Sequence, residues 1–376
     1  METILYLMWL HLKMKSIPLE SAKLFSFFHS AEAIYKAGRN DYIASGITNK
    51  FLLNELMDKS LEDANAEIEK ANKFGIQLLG YGTTGYPSIL NEIPDPPLIL
   101  YVKGDASVLH RRNIFCIVGT RKSTVYGMSA ALGISEQLAR CGMIILSGVA
   151  LGIDSAAHRG AIRGRGKTIG VMGCGLDLDY PAGNEEVKKD IVQNGALISE
   201  FPFGTRPIPG NFPLRNRILS ALSLGVAVLE AGEKSGALIT AKYAAEQGRD
   251  VYALPGNISN PMSAGTNALI RDGASVLLSA EDILAEYILR YPEFFELHDT
   301  EIEPVPLVSQ ETAQSLKNTS VSGEEKRLYI HLKKEPVHIN ELCRESGLDI
   351  SKAQTLITML QIKGKIKEHP GNYFSL

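Results

Sequence analysis

The chain has 376 residues, 45% hydrophobic and 22% charged, with a formal net charge of −3. This is globular composition sufficient for two or three domains, and it excludes a polycation, so any nucleic-acid site has to be a local basic patch. The four cysteines, Cys116, Cys141, Cys174 and Cys343, are far apart and form no C-x-x-C pair. That argues against a disulfide framework or a zinc site and fits a reducing, cytoplasmic compartment.

The first run, "METILYLMWLHLKMKS", is apolar but short. Glu2 stands where a signal peptide carries positive charge, and His11 interrupts the run, so it reads as a core-facing helix. No run reaches the ~18 apolar residues of a membrane helix. Apolar residues then recur at three and four in "ESAKLFSFFHSAEAIYKAG" and "SLEDANAEIEKANKFGI", which predicts a small helical domain over 1–85. Pro94, Pro96 and Pro97 preclude a helix in the bridge that follows, and Leu98 to Val102 is strand-like.

From about residue 110 short apolar runs alternate with helical stretches: "NIFCIVG", "YGMSAALGISEQLARCG", "MIILSG", and so on to "SVLLSA". Strands this apolar are buried on both faces, and their alternation with helices predicts a doubly wound, mostly parallel α/β sheet over about 110–290, in a domain that with the proline-marked bridge spans 86–292. Residues 293–322 are acidic and rich in Ser and Thr, the composition of a flexible linker. In 323–376, three helical patterns ("EEKRLYIHLKKE", "HINELCRESG", "DISKAQTLITMLQIKG") precede a Pro-Gly-Asn turn, which predicts a winged helix-turn-helix. Its third helix carries only Lys352 and Lys363 as charges, sparse for reading base edges, although Lys363, Lys365 and Lys367 could touch phosphate.

In open parallel sheets ligands bind beyond the C-terminal ends of the strands. The loops there are rich in Gly, Ser, Thr and Asn, whose backbone amides suit phosphate oxygens. Arg121, Lys122, Arg206, Arg215, Arg217, Lys234 and Lys242 are spread over several of them, a distribution that suits a phosphate chain better than one nucleotide. Tyr180, Phe201, Phe203 and Phe212 are interleaved as candidate stacking platforms or as caps of the core. Asp154, Ser155 and His158 are spaced for a helix N-cap and a contact one turn later rather than a hydrolytic triad. Glu200 and Glu230 end strands without a metal-ligand cluster, and Cys174 reads as a small buried residue. No catalytic residue, metal or cofactor is expected.

The runs "IVGTRKSTVYG", "SGVALGIDSAAHRGA", "GVMGCGLDLDYPAGN", "ISEFPFGTRPIPGNFPLRNRILSALS" and "EKSGALITAKYAAEQGRDVYALPG" occur in order and resemble the DNA-processing protein A (Smf) family of bacterial natural transformation, over about 86–280. The resemblance implies an extended Rossmann-like core, in a cytoplasmic homodimer that binds single-stranded DNA and loads the RecA recombinase onto it, displacing single-strand-binding protein. By motif it assigns a backbone-phosphate contact to Arg121, the same pocket to Arg215, Asn216 and Arg217, and the pocket floor to Lys234, Ser235 and Gly236; Gly119, Thr120, Lys122, Phe212 and Lys242, from the same loops and helices, complete the expected DNA-binding residues. This sequence departs from the family after Tyr180-Pro181, where Ala182 stands in place of a basic residue, so that contact is missing or shared with Lys188. Two other readings are open: a nucleotide-processing enzyme like the lysine-decarboxylase-like phosphoribohydrolases, whose catalytic glutamate is missing from "PGNISNPMSAGTN", and a winged-helix transcription regulator.

Overall fold

The computed structural model of the protein describes residues 2–14, 18–294, 328–329, 331–332, 336–362, 366–369 and 373–375. The chain forms two compact units, Met1–Ile302 and Glu303–Leu376.

Six helices open the first unit: α1 (Glu2–Met14), α2 (Pro18–Phe28), α3 (Ala31–Lys36), α4 (Arg39–Ala44), α5 (Lys50–Met57) and α6 (Glu62–Lys73). Their starts are set by side chains that accept orphan amide protons, Ser30 Oγ from Ala33 and Asn49 Oδ1 from Phe51 and Leu52. α1 buries Leu7, Met8, Trp9 and Leu10 at the centre of this layer, as its apolar run predicts. The same core continues onto Ile99 and Tyr101, so the helices are seated against the edge of the sheet. The expected all-helical stretch 1–85 needs one correction. Gln77–Gly80 is a strand, β1, because Gly75 turns the chain at φ 63° and "QLLG" is too short and apolar to do anything but pair.

β2 (Ile99–Gly104) lies antiparallel between β1 and β6. The parallel part follows, with β3 (Ile114–Val118), α7 (Val125–Arg140), β4 (Ile144–Ser147), α8 (Ile153–Arg163), β5 (Thr168–Val171), α9 (Glu185–Asn194), β6 (Gly195–Ser199), α10 (Asn211–Ala221), β7 (Gly225–Val228), α11 (Gly236–Glu246), β8 (Asp250–Ala253), α12 (Ala264–Arg271), β9 (Ser275–Val276) and α13 (Glu281–Arg290). The strand order is β1-β2-β6-β5-β4-β3-β7-β8-β9. The sheet is therefore mostly parallel and doubly wound, the extended Rossmann-type α/β fold read from the sequence.

Every residue of β3 is buried, because both faces are covered. Ile114, Cys116 and Val118 point into the core beneath α10 and α11, whereas Phe115 and Ile117 point to the one beneath α7, α8 and α13. α7 and α8 approach closely at Gly160, where a Cβ would sit 2.4 Å from the Leu132 carbonyl oxygen. β3 lies between β4 and β7, and there the winding reverses. That places a crevice at the C-terminal ends of β3, β4 and β7.

The second unit pairs β10 (Val337–His338), β12 (Tyr373–Ser375) and β11 (Lys367–His369) in an antiparallel sheet. Helices Ile339–Ser346 and Ile350–Ile362 pack on it through Leu342, Ala353, Ile357 and Leu360, with Phe374. Gly347, at φ 69°, ends the first of them. Of the expected first helix only 328–329 are described as helical, and Lys363, Lys365 and the acidic stretch beyond Phe294 lie outside the described residues.

Two buried histidines contribute to the acid response of the first unit. His158 does not meet Asp154, the contact its spacing suggested; its Nδ1 lies 2.7 Å from Thr168 Oγ1. Thr168 Oγ1 donates to the Ile145 carbonyl, so it accepts from the ring, which is the neutral Nδ1–H tautomer. Burial, aided by Arg215, pushes the pKa of His158 down to about 3, and burial pushes that of His11 down to about 4. Above pH 6.5 both rings are neutral folded and unfolded. Below it the unfolded chain takes up protons that the folded chain refuses, so stability falls as pH falls from 6.5 toward 3. At one unit below the unfolded pKa each ring costs about 1.4 kcal/mol. Urea denaturation at pH 7.5 and 5.5 should therefore show a smaller acid-induced loss for His158→Asn, whose amide can take the place of Nδ1, than for the parent. An equal loss would remove His158 from this role.

Candidate nucleic-acid interface

The crevice contains a cavity of about 300 Å³. One wall is the loop after β3, Gly119, Thr120, Arg121 and Lys122. Ala150 and Asp154 come from the turn into α8, Phe212, Arg215, Asn216 and Leu219 from α10, and Ser235, Gly236, Ala237 and Thr240 from the start of α11. The N-termini of α10 and α11 thus converge on it, and their dipoles favour an anion.

The loop after β3 is braced from beneath by Glu230, which is 1% exposed. The backbone N–H and Oγ1 of Thr124 donate to its carboxylate at 2.8 and 2.6 Å, and Thr120 N–H donates to its carbonyl at 2.7 Å. Gly127 leaves room for that carboxylate, since a Cβ there would lie 2.2 Å from it. Thr124 in turn caps α7 through Gly127 N–H. Gly152, at φ 80°, begins α8, and a Cβ there would lie 2.5 Å from the Thr120 carbonyl oxygen. Sequence spacing placed Asp154 at the cap of α8. It is instead the second helical residue, and its carboxylate accepts from Ala150 N–H at 3.2 Å. Burial pushes this carboxyl up, and Arg215 opposes the shift.

Arg215 is 5% exposed. Its Nη1 donates to the Gly148 carbonyl at 2.7 Å and to the Val171 carbonyl, and its Nε is enclosed with no partner among the described residues. Arg121 is exposed, its guanidinium 4.8 Å from the Phe212 ring centroid. Tyr180 lies on Phe212 with centroids 5.8 Å apart.

Of the residues expected at the site, Gly119, Thr120, Arg121, Lys122, Phe212, Arg215, Asn216, Ser235 and Gly236 line this one cavity. Arg217 does not line it. Its side chain is 1% exposed, with Nη1 and Nη2 on the Glu200 carboxylate at 2.8 and 2.6 Å and Nε on Asp95 at 2.8 Å. Glu200 is thereby held in an ion pair rather than free to act as a base. Lys234 and Lys242 are exposed outside the cavity wall, Lys242 3.7 Å from Glu246. Lys188, named as a substitute for the missing base at Ala182, is turned onto Asp179. Phe201 is buried, and Phe203 packs on Phe74 and Tyr101, so both cap the core. Sequence reasoning missed Asn184, whose Nδ2 donates to Val149 O, Ala150 O and Ser155 Oγ and ties the β5 loop to the β4 loop. Its place at the end of "YPAGN", just before a helix, was the available signal. Among the described residues no cluster of His, Cys, Asp and Glu could hold a metal, and no helix is long and apolar enough to cross a membrane.

A family model described as DNA recombination-mediator protein A matches residues 77–288, and one described as DprA winged helix domain matches 310–372. DNA processing protein DprA of Bacillus subtilis is 41% identical over 222 residues, 59% of this chain and 75% of that protein. Protein Smf of Synechocystis is 35% identical over 326 residues, 81% of each chain. The structure of DNA processing protein A from Streptococcus pneumoniae aligns with a TM-score of 0.67 at 31% identity, covering 78% of this chain and 99% of that one. DNA processing protein A from Helicobacter pylori, whose structure is described for its single-stranded DNA binding mode, aligns at 0.52 and 32% identity, covering 57% and 97%.

Arg217 serves the fold by pinning the proline-marked bridge at Asp95 to the end of β6 at Glu200. Arg217→Ala strands two carboxylates, one of them largely buried, and should lower unfolding free energy by about 3–5 kcal/mol in chemical denaturation. A change below about 1 kcal/mol would show that the pair contributes little.

Proposed function

The chain belongs to the DNA recombination-mediator protein A family, and from that premise we propose that it binds single-stranded DNA along the rim of the parallel sheet, without covalent chemistry, and delivers it to recombination. The observation that carries this is the cavity itself. Exposed Arg121 and Lys122, buried Arg215 and two helix N-termini meet at one point, beside a Phe212–Tyr180 aromatic pair. Cations of this kind take the phosphate, and aromatic faces take bases without regard to sequence. Arg206, Lys234 and Lys242, exposed on neighbouring loops, extend the track for the backbone of a longer strand. The related protein from Helicobacter pylori, described by its single-stranded DNA binding mode, supports the same reading.

Loading of the RecA recombinase, displacement of single-strand-binding protein, action as a homodimer and service in natural transformation are proposed on the family resemblance. A nucleotide-processing enzyme is disfavoured by the acids at the rim. Glu230 is spent on Thr124, and Glu200 on Arg217.

Fluorescence anisotropy with an oligo-dT strand and a duplex of equal length, at two salt concentrations, tests the reading. The single strand should bind more tightly, with strong salt dependence. Arg121→Ala should weaken binding to all sequences and reduce the log–log salt slope by about 0.7, the release of one counterion from a single strand. Binding that is absent at low salt would overturn the proposal, and an unchanged slope would take Arg121 out of the interface.

A further inference from the structure

We propose that the cavity is built for a phosphomonoester, so that a phosphorylated strand terminus, or the phosphate of a free nucleotide, binds there more tightly than an internal phosphodiester. The inference rests on the strand-binding reading above and adds a preference that the reading does not contain.

Three observations carry it. The first is Arg215. A guanidinium offers five N–H donors. Here the two protein acceptors, Gly148 O and Val171 O, both fall to Nη1; Nε is enclosed without a partner among the described residues, and Nη2, which is not sealed off in the same way, is left to face outward. An anion in the cavity that Arg215 lines would find Nη2, with its two N–H groups, free to donate a charge-assisted hydrogen bond.

The second is the charge balance. Arg121, Lys122 and Arg215 face one acid, Asp154, among the residues lining the cavity. The N-termini of α10 and α11 add further positive potential. Gly236 has open space where a side chain would stand, so the backbone at the head of α11 is accessible to a ligand. The surplus exceeds the single negative charge of a phosphodiester. It matches a phosphomonoester, which carries about −1.5 to −2 at neutral pH and offers three acceptor oxygens.

The third is size. A cavity of about 300 Å³ is at the small end of the range for ligand pockets. That accommodates one nucleotide and not a run of them, so a strand meets the site one phosphate at a time. At a terminus the ester oxygen leading to the next sugar is replaced by a charged one, which is what the unspent donors can use.

The test measures the affinity of the full chain for short dT strands of one length, labelled at an internal position. One strand has hydroxyls at both ends, one a 5′-phosphate and one a 3′-phosphate. One phosphorylated end should bind roughly tenfold more tightly than the hydroxyl strand, the scale of one charge-assisted hydrogen bond, while the other end reports the nonspecific gain from added charge. Arg215→Lys, which keeps the charge but not the fork, should abolish the difference between the ends. Arg121→Gln, at an exposed side chain, should reduce it in a chain whose fold is not at risk. Competition by thymidine monophosphate, with thymidine as control, would assign the site to free nucleotides as well. A retained end preference without such competition would assign it to strand ends. If strands bind but all three ends are equal, the phosphomonoester inference is wrong and the strand-binding reading stands. If no strand binds, both fall.

Discussion

A buried arginine hydrogen-bonded to two strand-end carbonyls organises the crevice. Arg215 reaches from α10 across the C-terminal edge of the sheet to Gly148, just past β4, and Val171, the last residue of β5. Both lie where β4 and β5 end, and a guanidinium is a side chain with donors enough to answer both while keeping its charge. The glycine is part of the arrangement. A Cβ at position 148 would lie 2.6 Å from Asp154 and 2.7 Å from Arg215. The Arg215 charge is thus fixed in place by the backbone, so that in the proposed binding any reorganisation falls to the exposed Arg121 and Lys122.

Two arginines separated by one residue in "RNR" have opposite fates, and helix geometry is the reason. Positions two apart on an α-helix differ by about 200° around its axis. If one faces the crevice, the other faces the opposite side, where Glu200 and Asp95 wait. Sequence alone identifies both as basic residues in a glycine-rich rim and has no means of assigning the phase. The acids that capture Arg217 lie 122 and 17 residues away in the chain. The same limit applies to Lys188, whose partner Asp179 belongs to the loop thought to need it.

What was legible in the sequence follows from period and burial. Runs such as "IFCIV" and "IILS" are buried end to end, and nothing but a doubly covered parallel strand needs that composition. Nine of the residues expected at the site line one cavity because they sit at strand ends or helix starts, positions that topology brings together. Less legible were features settled by packing. β1 is four residues long and pairs antiparallel, so it carries neither the length of a helix nor a full strand pattern. Asp154 looked like a cap because it precedes "SAAHRG", but Gly152 starts the helix, since only a residue free to take φ 80° can turn beneath the Thr120 carbonyl. His158 found Thr168 on the adjacent strand instead of its helical neighbour, a contact across ten residues that no local spacing encodes.

The loop after β3 lacks the glycine spacing of a dinucleotide fingerprint, and its geometry explains why it needs none. In that fingerprint a glycine lets backbone approach a pyrophosphate. Here the close approaches are within the protein. A Cβ at Gly119 would lie 2.6 Å from Ile153, and one at Gly152 would lie against the loop itself. The glycines allow two loops to pack, and on the proposed reading it is the loop's side chains, Arg121 and Lys122, that meet the phosphate. Side-chain cations at an exposed rim are screened by salt and indifferent to the base attached to a phosphate. Backbone cradles are neither so screened nor so permissive. A site built this way can take a phosphate on any nucleotide of a strand, the requirement for holding DNA of arbitrary sequence.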